Sequence, residues 1–297
     1  MKYAKIGIVT VLYNSSAVVE DFFVSLAKQT YKNIILYVVD NCSPDDSLEK
    51  CRQLIDLLPF EVKVYTEETN WGVAKGNNIG IIQALADGCD YVLLSNNDTV
   101  LEPTTIENLF NGMLSANATL AVPKIYFYGT NKIWAAGGKF VKWKGSTKHF
   151  GFMEVDKGQW NTPSIVQYAP SCFMLIDGKV FERVGIMNEH YFVYYDDTDF
   201  VWRAVKKGTE RLAYIPNSRL WHKENTSTGG NQSDFFIYYF NRNNLYFTRM
   251  HFSLLWRLWV YGFCLAKYLI KKPFTMTSHQ RSIMRKAYSE AMRLGKK

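Results

Sequence analysis

Four short stretches of this chain combine residue types that can do chemistry. The first is Asn96-Asn97-Asp98, directly behind the apolar run Tyr91–Ser95. A carboxylate at the end of a strand can hold a divalent cation through oxygen. Asn-Asn-Asp is equally good material for an Asx-rich turn. The second is Tyr194-Tyr195-Asp196-Asp197-Thr198-Asp199, three acids in four residues ahead of Arg203. One or two acids at a helix start are ordinary capping and dipole stabilisation. A third is crowded, because like charges repel unless a cation or a task keeps them together. The third stretch is Trp221-His222, after the strand-like residues 218–220. A lone imidazole is more often structural than a ligand, but a strand-end Asp elsewhere allows a mixed nitrogen–oxygen metal site. The fourth runs over residues 70–80, with glycines at 72, 76 and 80. Four-residue spacing does not fit a dinucleotide fingerprint, and no P-loop Lys-Ser/Thr follows. A helix start with small residues lets a diphosphate approach backbone N–H groups; helix–sheet packing explains the same glycines.

The first half of the chain alternates strand and helix around these stretches. Residues 5–12 (KIGIVTVL) form a β-branched apolar run ended by Tyr13-Asn14-Ser15-Ser16. Helical spacing covers residues 18–27, and a second strand covers 34–39, closed by Asp40. Ser43-Pro44-Asp45 caps a helix running to about Leu58. A third strand over 61–66, a helix over 73–86 and a fourth strand over 91–95 follow. Strand starts at 5, 34, 61 and 91 recur at roughly the length of one strand–helix unit. Successive units of this kind give an α/β fold, a mostly parallel sheet with helices on both faces. Such sheets bind ligands at the carboxyl ends of their strands. Three of those ends are polar here: Tyr13-Asn14, Asp40-Asn41 and Asn96-Asn97-Asp98. Residues 120–170 read as strands and loops rich in Gly and Trp, 178–184 and 196–206 as short helices, and 210–215 as a strand. A flexible stretch over 225–231 precedes residues that are helical to the end. We therefore expect a catalytic domain over 1–230, its nucleotide half ending near residue 100, and a helical tail over 231–297.

With 47% hydrophobic and 21% charged residues, the chain can fill a core and is not disordered. An aromatic content of 15% suits ring stacking or a membrane interface. Five cysteines without zinc-ligand spacing read as free thiols in a reducing compartment. No secretory signal opens the sequence. The most apolar stretch, residues 252–270, holds Arg257 and Lys267 and is no clean membrane span. The net charge of +8 is uneven: residues 249–297 carry +10, so the rest carries −2. A near-neutral body with a basic tail is not the footprint of a nucleic-acid enzyme. On a helical wheel Arg249, Ser253, Arg257, Lys267 and Lys271 share a narrow face, with Leu255, Leu258, Trp259 and Phe263 opposite. One long amphipathic helix of this kind lies in an anionic membrane interface, or packs on its own domain or a second subunit.

In chain order, IGIVTVLYN (6–14), VVDNCSPDDS (38–47), NWGVAKGNNIGI (70–81), LSNNDTVLEP (94–103), VFERVGIMNEHYFVYYDDTDFVWRA (180–204), LWHKENTST (220–228) and YYFNRNN (238–244) resemble the family 2 inverting glycosyltransferases of the GT-A fold. The likeness covers about residues 5–250 and is nearest the bacterial rhamnosyltransferase-like branch that builds surface polysaccharides. It implies that Thr10, Tyr13 and Asn14 border a nucleotide and that Asp40 takes the base edge, with Asn41 and Ser43 beside it. Asn70, Trp71 and Gly72 would line the donor nucleoside, with Ala74 and Asn77 close by. Asn96, Asn97 and Asp98 stand where the family carries its DxD-type motif, its first acid replaced by Asn96, and Asp98 would hold Mg²⁺ or Mn²⁺ with His222. Asp197 aligns with the catalytic base, and Asp196 takes the place of the usual Glu. Asp196, Asp199 and the pair Arg242-Asn243 fall on the acceptor or diphosphate side.

The implied reaction is metal-dependent inverting transfer, with dTDP-L-rhamnose as first donor and a UDP-sugar as alternative. The implied acceptor is a lipid-linked glycan or polysaccharide, at the cytoplasmic face of the cell membrane. A poor hydroxyl nucleophile needs a carboxylate to take its proton, and a nucleoside diphosphate leaving group needs its charge neutralised. Tyr191, Phe192, Tyr194 and Tyr195 would supply a sugar-stacking wall or half of it would be core. A catalytically silent nucleotide-sugar- or glycan-binding subunit is the competing reading; Asp98, Asp197 and His222 together favour the enzyme. A nucleotidyltransferase would need a glycine-rich basic signature that residues 5–16 lack.

Overall fold

The computed structural model describes residues 4–223, 233–271 and 275–295. The stretch expected to be flexible over 225–231, and with it the 230/231 boundary, lies outside the described residues. Four parallel strands build the amino-terminal half: β1 (Ile6–Leu12), β2 (Ile34–Asp40), β3 (Glu61–Thr66) and β4 (Tyr91–Ser95). Helices α1 (Val19–Ala27), α2 (Ser47–Leu54) and α3 (Val73–Ala86) connect them. β1 and β2 are buried almost throughout, which is why they read as continuous β-branched runs instead of alternating ones. Gly76 and Gly80 of α3 lie against β1: a Cβ there would stand 2.7 Å from a Val11 methyl and 2.3 Å from a Val9 methyl. The four-residue glycine spacing is therefore helix–sheet packing.

The second half extends the same sheet. After β5 (Thr99–Leu101) and α4 (Thr105–Ser115) come β6 (Leu120–Phe127), β7 (Ile133–Ala135) and the hairpin β8 (Gly138–Val141)–β9 (Ser146–His149). Then follow β10 (Ser164–Val166), β11 (Phe173–Asp177), α5 (Gly178–Val184), α6 (Asp196–Val201) and β12 (Leu212–His222). The sheet order is β10-β12-β6-β11-β4-β1-β2-β3, with β5 added to β12 and β7 to β6. β11 runs antiparallel to β4 and β6, while β6 and β12 are parallel. This is the α/β architecture expected, mostly parallel and flanked by helices.

Two expectations are corrected. Residues 210–215 and 218–220 are parts of one strand, β12, whose register shifts between Ile215 and Arg219. Pro216 sits in that bulge, where a missing N–H costs no ladder bond. The tail is also not one long helix. α7 (Asp234–His251) ends before buried Phe252, and α8 (Leu254–Ala266) restarts after Ser253, whose ψ is 161°. Phe252 joins an aromatic cluster with Tyr191, Tyr195 and Phe247, and that anchoring breaks the wheel. α9 (Ser278–Arg293) folds back on α7, opened by a Thr277–Gln280 capping box.

Candidate active site

The carboxyl ends of β1, β2 and β4 lie side by side, so their polar tails meet. The Asp40 carboxylate is buried and accepts only a long contact, 3.4 Å, from the Ser43 N–H. Among the described residues no partner is found for the buried hydroxyls of Thr10 and Ser43. Tyr13 and Trp71 are exposed, Trp71 beneath the Lys75 ammonium at 4.0 Å. Asn14 holds a left-handed backbone, φ 52°. Asn41 is turned inward: it donates to Asn70 Oδ1 and the Gly72 carbonyl and accepts from the Trp71 N–H. It shapes the 70–72 loop that the sequence placed on a nucleoside. Ala74 is fully buried, and Asn77 is buried with its amide 3.8 Å from Met187 Sδ. Both sit behind the wall, not on it. Asn97 donates to the Val11 carbonyl at 2.7 Å and ties β4 to β1, which leaves Asn96 exposed at the rim.

Beyond Asn97 the chain brings Asp98 to the end of β12. Asp98 Oδ1 lies 3.1 Å from His222 Nε2. Cis ligands of an octahedral cation with bonds of about 2.1 Å stand roughly 3 Å apart, so this oxygen and nitrogen fit one divalent ion. Among the described residues no group of three or more His, Cys, Asp or Glu is gathered for a metal. An aromatic arc leads from this pair to the acidic cluster. Trp134 packs on both His222 (4.7 Å) and His149 (4.8 Å), His149 stacks on Tyr168 (5.9 Å), and the Tyr168 hydroxyl donates to Asp197 Oδ2 at 2.8 Å. Burial first, then the charge of Asp197, pushes the Tyr168 phenol well above its usual range, so it stays a donor. Under the arc the Cys172 thiol is pushed up by burial, then by Asp98 and by Asp197. Both carboxylates are thus near enough to act on the Cys172 thiol.

The three acids of the cluster have different surroundings. Asp197 is half-buried and accepts from the Thr198 N–H (2.5 Å) and Thr198 Oγ1 (3.1 Å) as well as Tyr168. Asp196 is buried; desolvation, then its neighbour's charge, pushes its carboxyl up to about 7. Asp199 bonds His251 Nε2 at 2.5 Å and Arg203 Nε at 2.7 Å. Burial pushes it upward, but the bonds to His251 and Arg203 outweigh burial and hold it below the usual carboxylate range. Asp199 is thus spent on pinning α6 to α7 through His251.

The loop ahead of α6 is strained: Phe192, Tyr194 and Tyr195 have φ of 60°, 59° and 66°, a costly region for bulky residues. Arg242 and Asn243 of α7 hold it there. Arg242 donates to the His190 and Tyr191 carbonyls, and Asn243 to those of Tyr191, Val193 and Tyr194. Their side chains are spent on the loop, not aimed at a diphosphate. The loop in turn docks on the donor wall, the Val73 N–H reaching the Phe192 carbonyl at 2.5 Å. Gly72, φ 85°, is required there, because a Cβ would stand 2.3 Å from that oxygen. Of the four aromatics expected as a stacking wall, Tyr191 and Tyr195 are core, while Phe192 and Tyr194 are half-buried.

The sequence model of glycosyl transferase family 2 matches residues 7–185, more than half of the chain. The chain belongs to that family. It is 26% identical over 191 residues to glycosyltransferase GlyG of Streptococcus pneumoniae, covering 63% of this chain and 61% of the relative. It is 29% identical over 153 residues to the dTDP-rhamnosyl transferase RfbF of Shigella flexneri, covering 52% and 49%. The chain thus spans about half to three-fifths of the length of these curated relatives. Its fold is shared with GalNAc-T7, solved with UDP, GalNAc and Mn²⁺: TM-score 0.70 at 15% identity over 98% of this chain and 56% of that one.

This family 2 chain places several residues at the cleft that sequence reasoning did not name. Tyr168, His149 and Trp134 form the wall between the two carboxylates. A groove of about 550 Å³ opens beside His149, lined by Phe150, Phe152, Glu154 and Trp160. The only signal was compositional, the Gly- and Trp-rich character of residues 120–170, since these side chains meet through the β8–β9 hairpin and not through local spacing.

Proposed function

We propose that this family 2 chain is an inverting glycosyltransferase that moves a sugar from a nucleoside diphosphate to an acceptor hydroxyl. The observation that carries the proposal is the run of contacts that joins the Asp98–His222 pair to Asp197 through Trp134, His149 and Tyr168. Asp40 recognises the imide N–H of uracil or thymine, and Thr10, Tyr13, Asn14, Ser43 and Trp71 border the nucleotide. Asp98 and His222 would hold Mg²⁺ or Mn²⁺, which would supply positive charge for a diphosphate leaving group. Asp197 takes the acceptor proton as the new bond forms, while Tyr168 and Thr198 fix the orientation of its carboxylate. A single carboxylate base that activates the acceptor for direct displacement inverts the anomeric carbon and needs no covalent intermediate.

The groove beside His149 receives the acceptor glycan, its aromatic floor suited to sugar rings. Residues 1–230 form the catalytic body and 231–297 a helical cover whose α7 braces the acceptor loop. The donor read first is dTDP-L-rhamnose, supported by the likeness to a dTDP-rhamnosyl transferase; a UDP-sugar is second, supported by UDP in a structural relative. The acceptor is a lipid-linked glycan or polysaccharide, met by a peripheral enzyme at the inner membrane face. A panel of dTDP- and UDP-sugars scored for binding and slow hydrolysis tests this. One donor should stand out in both readouts, and binding of none of them would overturn the proposal.

A further inference from the structure

α8 presents an uncovered apolar face. Leu255 is 80% exposed, Ile270 in the turn that follows 70%, Leu258 and Trp259 60% each and Leu265 54%. Isolated exposed apolar residues need no explanation, but a contiguous stripe marks an interaction surface. The β8–β9 hairpin widens it. Its tip, Lys142-Trp143-Lys144, is exposed, with the Trp143 ring edge-on to Phe263 at 5.2 Å. Lys142 lies over Trp256 at 4.6 Å and Lys144 over Trp143 at 4.7 Å. Two cations are thus held beside two interfacial aromatics, at the edge of the apolar stripe.

The charge of this patch decides its occupant. Residues 138–153 contain four lysines and no acid, and the single acid after residue 248, Glu290, is bound to Arg242 and Tyr238 of α7. A second copy meeting this face across a two-fold axis would bring two sets of Lys142 and Lys144 into one interface, and neither residues 138–153 nor α8 holds a carboxylate to relieve them. Arg249 and Arg257, which the sequence put on the cationic side, are bonded instead to the carbonyls of Met292, Leu294 and Phe252. The free positive charge comes from the hairpin, which the helical wheel did not include.

We propose that α8 and the β8–β9 hairpin tip form one platform that seats this chain on an anionic lipid surface. Among the described residues no helix is long and apolar enough to cross a membrane. α8 therefore lies in the interface plane, its leucines below the headgroups and the hairpin's Lys142 and Lys144 among them. The platform is built into the cleft. The Gly145 carbonyl at the hairpin tip accepts from the Tyr195 hydroxyl at 3.1 Å and from Asn244 of α7 at 2.7 Å. Two residues on from Tyr195 is Asp197, and β9 runs from the tip to His149. Seating on lipid thus brings the acceptor groove to the surface where a lipid-carried acceptor would stand, which deepens the membrane placing proposed above.

Vesicle flotation with the whole chain tests the platform and reads no transfer, so its failure and that of the enzymatic reading are distinguishable. The chain should float with vesicles of equal parts phosphatidylglycerol and phosphatidylcholine, and not with phosphatidylcholine alone. Lys142→Gln with Lys144→Gln should weaken binding by roughly thirtyfold, about fivefold per lysine. Leu255→Glu with Trp259→Glu should abolish it while the melting temperature holds. Flotation unchanged in both variants, or absent from wild type, overturns the proposal. So does a wild-type dimer in sedimentation velocity that Leu255→Glu with Trp259→Glu converts to monomer.

Discussion

Asp197→Asn separates the roles of the three acids. The substitution keeps the volume of the side chain and one acceptor oxygen, so Thr198 N–H at 2.5 Å retains its partner. The amide group then faces Tyr168, whose hydroxyl can rotate to accept instead of donate. Exchanging one charge-assisted hydrogen bond for a neutral one costs about 1 kcal/mol, and the variant should fold. What it loses is the only carboxylate of the cluster that is half-exposed toward the cleft. Transfer should fall by roughly 10²–10⁴-fold, or about 3–5 kcal/mol in the barrier. Nucleotide binding should change little, because the base acts on the acceptor. The assay is single-turnover transfer with saturating donor, paired with calorimetry of nucleotide binding. Asp196→Asn should retain most transfer. If Asp197→Asn keeps activity while Asp196→Asn is dead, the assignment of the base is off by one residue and the reasoning from Tyr168 fails.

Asp196→Asn should instead change stability with pH. Asp196 is raised from 3.8 to about 7 in the fold, by burial and then by Asp197. Wild type therefore loses stability as pH climbs from about 4 to 7, because the unfolded chain ionises first. The melting-temperature advantage of Asp196→Asn should grow across that window and level off above it; a constant difference would refute the shift. Asp40→Ala should weaken dTDP or UDP binding by roughly tenfold or more, the scale of a charge-assisted hydrogen bond, and equal affinities in calorimetry would sink the base-edge role. Chelation should abolish transfer and Mn²⁺ or Mg²⁺ restore it, with Asp98→Asn needing more metal; transfer in excess EDTA would mean that cationic side chains carry the leaving-group charge. Asn243→Ala should lower the melting temperature by several degrees, since three carbonyls of a strained loop lose the two N–H groups they share, each worth about 1 kcal/mol. It should also weaken donor binding, because the 70–73 wall leans on Phe192.

The amino-terminal half was legible because its information is local. β1 to β4 are β-branched runs buried on both faces, each followed by helical spacing, and their boundaries fell within a residue or two of those expected. A parallel sheet of such units fixes where its ends converge, so Asp40, Asn96 and Asp98 could be placed on one rim from sequence. That Asp197 and His222 belong to the same rim rested on ordered motifs, because nothing in the chain from Asp98 to Asp197, or from Asp98 to His222, encodes their distance locally. Only the tertiary structure decided which carboxylate faces the cleft. Asp196, Asp197 and Asp199 are alike in sequence, but one is buried, one is held open by Tyr168, and one is pinned by His251 from a helix 52 residues away. Arg242 and Asn243 were found by type and misjudged in task, because a motif marks a position and not the direction of a side chain. The glycines at 76 and 80 were left open, and the break at Phe252–Ser253 was missed, for the same reason. Each depends on what the residue packs against, and that partner comes from a distant part of the chain.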